Sequence, residues 1–114
     1  MDARTNLLLA LGFAACSGVA CAAGSPQVKA AMQKSDCFTC HAVDHKLVGP
    51  SFEDVAARYH GTKASAAVVA TLAEKVIKGG SGNWNAVTGG IPMTPHPQLS
   101  MAQAEAMVRW VLAQ

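Results

Sequence analysis

Apolar residues recur along this chain at helical spacing, and the recurrence predicts four helices and no strand. Val28, Ala31 and Met32 share one face at i, i+3 and i+4. The first helix is expected from Pro26 to Ser35. Ser25 is a good N-cap there, and proline suits the first helical position because an N–H in that place has no helical partner. The second is expected from Phe52 to Tyr59. Ser51 opens it with Asp54 three residues on, a start resembling a capping box, and Gly61 stops it. The third is expected from Ser65 to Lys78, with Val68, Leu72 and Val76 as its apolar stripe. Lys75 and Lys78 sit in its last turn, where the helix dipole favours cations, and Gly79-Gly80 ends it. The fourth is expected from Met101 to Ala113, capped by Ser100 with Gln103 in the box position. Its buried face is Ala104, Met107, Val108 and Val111.

Two stretches break this pattern. Gly79 to Leu99 holds five glycines and three prolines and reads as a long loop without regular structure. Loops of that length in a small domain are usually functional or disordered. The N-terminus has the anatomy of an export signal: Arg4, then the apolar run Leu7 to Ala15, then small residues around Ala20-Cys21-Ala22-Ala23. Residues 1–23 are therefore expected to be a signal peptide and residues 24–114 a single domain. A membrane anchor is the competing reading, but the apolar run falls far short of the ~20 residues that span a bilayer. A lipidated cysteine is another. Neither Cys16 nor Cys21 has the leucine three residues upstream that such a site usually carries.

Charge narrows the function classes. Without the leader the chain keeps eight Lys plus Arg against six Asp plus Glu. That balance is too weak and too evenly spread for nucleic acid. It suits a soluble monomer that meets partners briefly. The domain has few large aliphatic residues and five aromatic ones, Phe38, Phe52, Tyr59, Trp84 and Trp110. At this size a purely apolar core is marginal, and a large apolar cofactor would help it.

Cys37-Phe38-Thr39-Cys40-His41 supplies the candidate chemistry. In Cys-x-x-Cys-His the two thiols can add to the two vinyl groups of a haem, and the adjacent histidine can bind its iron. Other readings are a dithiol redox site, a zinc site and a simple disulfide. A dithiol site usually lies in a βαβ pattern, which is absent here. Zinc needs four ligands, which Cys37, Cys40, His41 and His45 would have to supply by crowding together. A disulfide across two residues constrains little chain. For the far side of the iron the loop offers Met93, clamped between Pro92 and Pro95, with His96 as the rival. Proline stiffens the backbone, so a weak thioether ligand is held at little entropic cost. Met32, Met101 and Met107 lie in or at the start of helices and read as core filler.

With these residues in hand, residues 26–114 resemble the small bacterial class I cytochromes c, of the cytochrome c-551 type. The matching motifs are Cys37-Phe38-Thr39-Cys40-His41-Ala42-Val43, Val48-Gly49-Pro50, Asp54-Val55-Ala56-Ala57, Lys78-Gly79-Gly80-Ser81-Gly82 with Trp84, Ile91-Pro92-Met93 and Arg109-Trp110-Val111-Leu112. The resemblance implies an all-α fold, four helices around one haem c attached covalently through Cys37 and Cys40. It implies His41 and Met93 as the iron ligands. It also implies that the Pro50 carbonyl accepts from His41 Nδ1–H, where the plain alternative is a turn proline. Trp84 is implied to meet a haem propionate, where the alternative is a buried ring without that bond. The stretch Asn85 to Gly90 is longer than in the shortest members. The implied function is single-electron transfer in the periplasm, with no enzymatic activity, between respiratory or denitrification partners. A membrane cytochrome complex would be the donor, and a terminal oxidase or nitrite reductase the acceptor. Rival classes are a haem enzyme or sensor with a labile sixth ligand, and a detached haem subunit of a larger complex.

Overall fold

Serine caps open three of the helices, as the sequence requires. The structure is a computed structural model and describes residues 25–62 and 65–114. The expected leader, with Cys16 and Cys21, lies outside the described residues. The helical elements are α1 (Pro26–Lys34), α2 (Cys37–Cys40), α3 (Phe52–Arg58), α4 (Ala66–Lys78), α5 (Asn85–Thr88) and α6 (Met101–Leu112). Ser25 Oγ accepts from Val28 N at 3.2 Å, and Ser51 Oγ from Asp54 N at 3.0 Å. Ser100 makes the full reciprocal box with Gln103, at 3.1 and 2.9 Å. Ser65 precedes α4 without a side-chain cap bond.

Four of these helices are the expected ones. The other two, α2 and α5, are single turns of four residues. Four residues are too few to show a 3.6-residue period, so sequence pattern cannot announce them. The α5 turn lies inside the stretch expected to be irregular. Among the described residues there is no named strand; two isolated bridges pair His41 with Lys46 and Gly80 with Met93. No helix among them is long and apolar enough to cross a membrane.

Helix α6 is the hub. It packs most extensively on α4, and also on α3 and α1. Two apolar clusters result. One joins Val69 and Ala73 of α4 to Ala104, Val108 and Leu112 of α6. The other gathers Met32, Phe52, Met107 and Trp110. Phe38, Phe52 and Trp110 meet edge to face, with ring centroids 5.6 to 6.1 Å apart. Edge-to-face contact places the positive rim of one ring on the negative face of the next.

The α4 stripe expected from periodicity packs against the core, but it is not the most deeply buried face. Val68, Leu72 and Val76 are half-buried, while Val69 and Ala73, one residue round, are the fully buried pair. Leu72 and Val76 also line a cleft. Similarly, Ala31 is exposed on α1, and Met32 carries that helix's burial.

Ala73 and Ala104 are both fully excluded from solvent where α4 meets α6. Small side chains there let the helices approach closely. Ala73→Leu should therefore overpack the contact and cost about 1–3 kcal/mol. Denaturant melts of the two proteins check it; an equal or higher midpoint for the variant would contradict this packing.

Candidate functional site

The site begins where α1 stops. Asp36 adopts the left-handed conformation, φ 61°, which aspartate tolerates better than most residues. That kink starts α2, the single turn carrying Cys37 and Cys40. His41 then leaves the helix in extended conformation, its N–H bonded to the Cys37 carbonyl at 3.0 Å. The imidazole is held on two sides. Its Nδ1–H donates to the Pro50 carbonyl at 2.7 Å. Its face stacks on Phe52, centroids 5.3 Å apart and planes 22° from parallel. Gly49 N–H bonds the Cys40 carbonyl at 2.8 Å, which presses this backbone against the ring. A Cβ at residue 49 would lie 2.8 Å from His41 Nδ1 and closer still to Cε1, so only glycine fits. With Nδ1 committed as a donor, Nε2 keeps its lone pair for a metal.

The Gly/Pro-rich loop forms the opposite wall. Met93 and Gly80 exchange both backbone bonds, at 2.8 and 3.1 Å. Lys75 Nζ donates to the carbonyls of Gly80 and, at 2.8 Å, Ser81. Gly79 turns the chain with φ 65°, and a Cβ there would run into the backbone of residues 93–95. Trp84 precedes α5, half-buried, with the Arg58 guanidinium 5.3 Å from its ring centroid.

Between these walls lies a cleft of about 740 Å³. Its floor is apolar, from Met32, Leu72, Val76, Met107, Val108 and Val111. Every residue proposed from sequence borders it: Cys37, Cys40, His41, Pro50, Trp84 and Met93. The volume suits a large organic ligand. An imidazole and two thiols on one wall, a thioether on the other and an apolar floor between them match a thioether-linked haem.

The same geometry weighs against the other readings. Burial pushes the Cys37 thiol above its ordinary pKa. A reactive dithiol needs the opposite, a stabilised thiolate. Among the described residues no three His, Cys, Asp or Glu side chains converge to hold a metal. His45 points away, exposed, with its Nδ1 2.7 Å from Asp44 Oδ1.

Sequence reasoning gave no role to Gly49, Phe52 or Arg58. Gly49 sat inside a quoted motif, yet its contact with His41 needs the folded loop to be seen. His96 also borders the cleft, but both its ring nitrogens are engaged by backbone carbonyls.

A family model described as Cytochrome c matches residues 26–114. Cytochrome c-551 of Azotobacter vinelandii is 51% identical over 76 residues, covering 67% of this chain and 83% of that protein. Cytochrome c-551 of Allochromatium vinosum is 44% identical over 80 residues, 70% of this chain and 78% of that one. The crystal structure of wild-type Nitrosomonas europaea cytochrome c552 matches with a TM-score of 0.61 at 40% identity, covering 75% of this chain and 96% of that one.

In Gly49→Ala a methyl group must share the space of the His41 ring. The expected outcome is a weakened Nδ1–H signal in proton NMR and a stability loss of about 1–3 kcal/mol. A parent-like melt with an unchanged ring signal would count against the close approach.

Proposed function

The chain belongs to the cytochrome c family, in the small class I, cytochrome c-551 type, and from that premise we propose how its residues hold one haem and where it works. Its fold is the all-α cytochrome c fold, and it is a c-type electron carrier with haem c held through cysteine. Cys37 and Cys40 form the two thioether links. His41 Nε2 and Met93 Sδ are the two iron ligands. When bound, the haem supplies exchange of one electron between Fe(II) and Fe(III).

The chain's residues do the rest. The Pro50 carbonyl fixes the His41 ring and raises its basicity as a ligand. The Gly80 pairing and the Lys75 brace support Met93 from behind. Trp84 closes one end of the cleft and donates its indole N–H to a propionate. With His41 and Met93 both holding the iron, a substrate would find no place on it, which supports a carrier and not an enzyme. Val48 and Ile91, exposed apolar residues bordering the cleft, support brief docking at that edge. Residues 1–23 are a signal peptide, and the mature domain from residue 24 is a periplasmic monomer. Its donor is a membrane cytochrome complex and its acceptor a terminal oxidase or nitrite reductase. The observation that carries this reading is the convergence of His41, Met93 and both thiols on one apolar cleft.

Acid-acetone extraction should leave the haem on the polypeptide. Mass spectrometry of exported protein should show one haem on a chain beginning near residue 24. Free thiols and no haem, from cells with a working maturation system, would overturn the attachment.

The Met93 assignment has its own test. A soft, neutral thioether stabilises Fe(II) relative to Fe(III). Met93→His should lower the potential by at least ~59 mV, a tenfold change in a one-electron equilibrium. Met93→Ala should let the reduced protein bind CO, which the parent does poorly. Equal CO binding by parent and Met93→Ala would refute the ligand.

A further inference from the structure

His96 makes three hydrogen bonds to two separate parts of the fold. Its backbone N–H donates to the Ile77 carbonyl at 2.9 Å. Its ring Nδ1 lies 3.1 Å from the Val76 carbonyl, at the end of α4. Its Nε2 lies 3.0 Å from the carbonyl of Ser35, 61 residues away. Ser35 is the C-cap of α1, and the next two residues are Asp36 and Cys37, the start of the attachment turn. One imidazole therefore fastens the Met93 loop to α4 and to the wall carrying the thiols.

We propose that His96 is a positioning residue for Met93: by tying the loop to both Ser35 and Val76, its ring sets how often Met93 leaves the iron. The proposal rests on Met93 being the ligand. His96 acts through the loop and not on the iron.

The chemistry of the tie is specific. Both partners are carbonyl oxygens, which only accept. A neutral imidazole has one N–H, and the imidazolium has two. The protonated ring makes both bonds; the neutral ring makes one and sets a lone pair against the other carbonyl.

Other charged groups lie near this tie. Lys34 and Asp36 flank Ser35, and Lys75 and Lys78 flank the α4 carbonyls. Glu74 is taken up by Lys78 at 3.4 Å, and on α6 Glu105 pairs with Arg109 at 3.9 Å. No carboxylate among the described residues stands within ion-pair distance of His96. From Gly79 to Leu99 the loop has no other titratable side chain.

The test uses the oxidised holoprotein and imidazole as the incoming ligand. At saturating imidazole the binding rate reports loop opening. His96→Phe keeps the ring's bulk and removes both bonds. It should open about tenfold faster, as expected for two lost hydrogen bonds. His96→Gln, which restores a donor, should fall between. If His96→Phe opens at the parental rate, or His96→Gln opens as fast as His96→Phe, the proposal fails. Met93→Ala separates the two ideas. If it opens no faster than the parent, the ligand assignment fails and this proposal falls with it. If it does open faster while the His96 variants do not, only the tie is wrong.

Discussion

The hydrogen bond from His41 Nδ1 to the Pro50 carbonyl is the interaction on which the rest of the structure depends. It joins the turn that carries the thiols to the residue before the Ser51 cap, so it sets where α3 begins. Phe52, the first residue of α3, then stacks on the same imidazole and meets Phe38 and Trp110 edge-on. A ring held at one edge and along one face has a single orientation. Gly49 completes the arrangement through the space it leaves. A side chain there would displace the imidazole and break the bond that orders its neighbours.

The helices that build the core also build the cleft, and on α4 and α6 the same apolar surface serves both. On α4, Val69 and Ala73 are buried against α6, while Leu72 and Val76 pack at the edge of that cluster and also line the cleft. On α6, Ala104 and Leu112 go inward to α4, Trp110 to the aromatic cluster, and Val111 to the cleft. Met107 and Val108 serve both. A chain this short cannot afford a core separate from its binding site. Filling the cleft with a large apolar group that binds only the native state therefore adds to the stability of the whole domain.

Local chemistry was legible in the sequence, and contacts between distant residues were not. Helix starts follow from Ser25, Ser51 and Ser100, because a cap depends on residues three positions apart. The thiol pair and His41 are likewise local. The α4 stripe shows where legibility ends. Periodicity found Val68, Leu72 and Val76, an apolar face, but it cannot say whether that face meets protein or cofactor. The α2 and α5 turns are shorter than the period that would reveal them. His96 was weighed only as a rival ligand, because its bond to Ser35 spans 61 residues and nothing local announces it.

The loop bearing Met93 carries a difficulty that the wall bearing His41 does not. His41 follows a helical turn held by its own backbone, whereas Met93 lies in a stretch rich in glycine, and a thioether binds iron weakly. A weak ligand on a floppy segment would lose its bonding energy to the entropy of ordering that segment. The chain removes the disorder beforehand. Pro92 and Pro95 restrict φ on either side of Met93. The exchanged bonds with Gly80 fix the backbone at Met93 itself, and Lys75 holds the carbonyls of the strand-like partner. His96 anchors the exit of the loop to α4 and to α1. None of these contacts touches the Met93 sulfur. They act by leaving the loop few other conformations to adopt, so the modest affinity of Met93 as the proposed ligand would go to binding and not to ordering the chain.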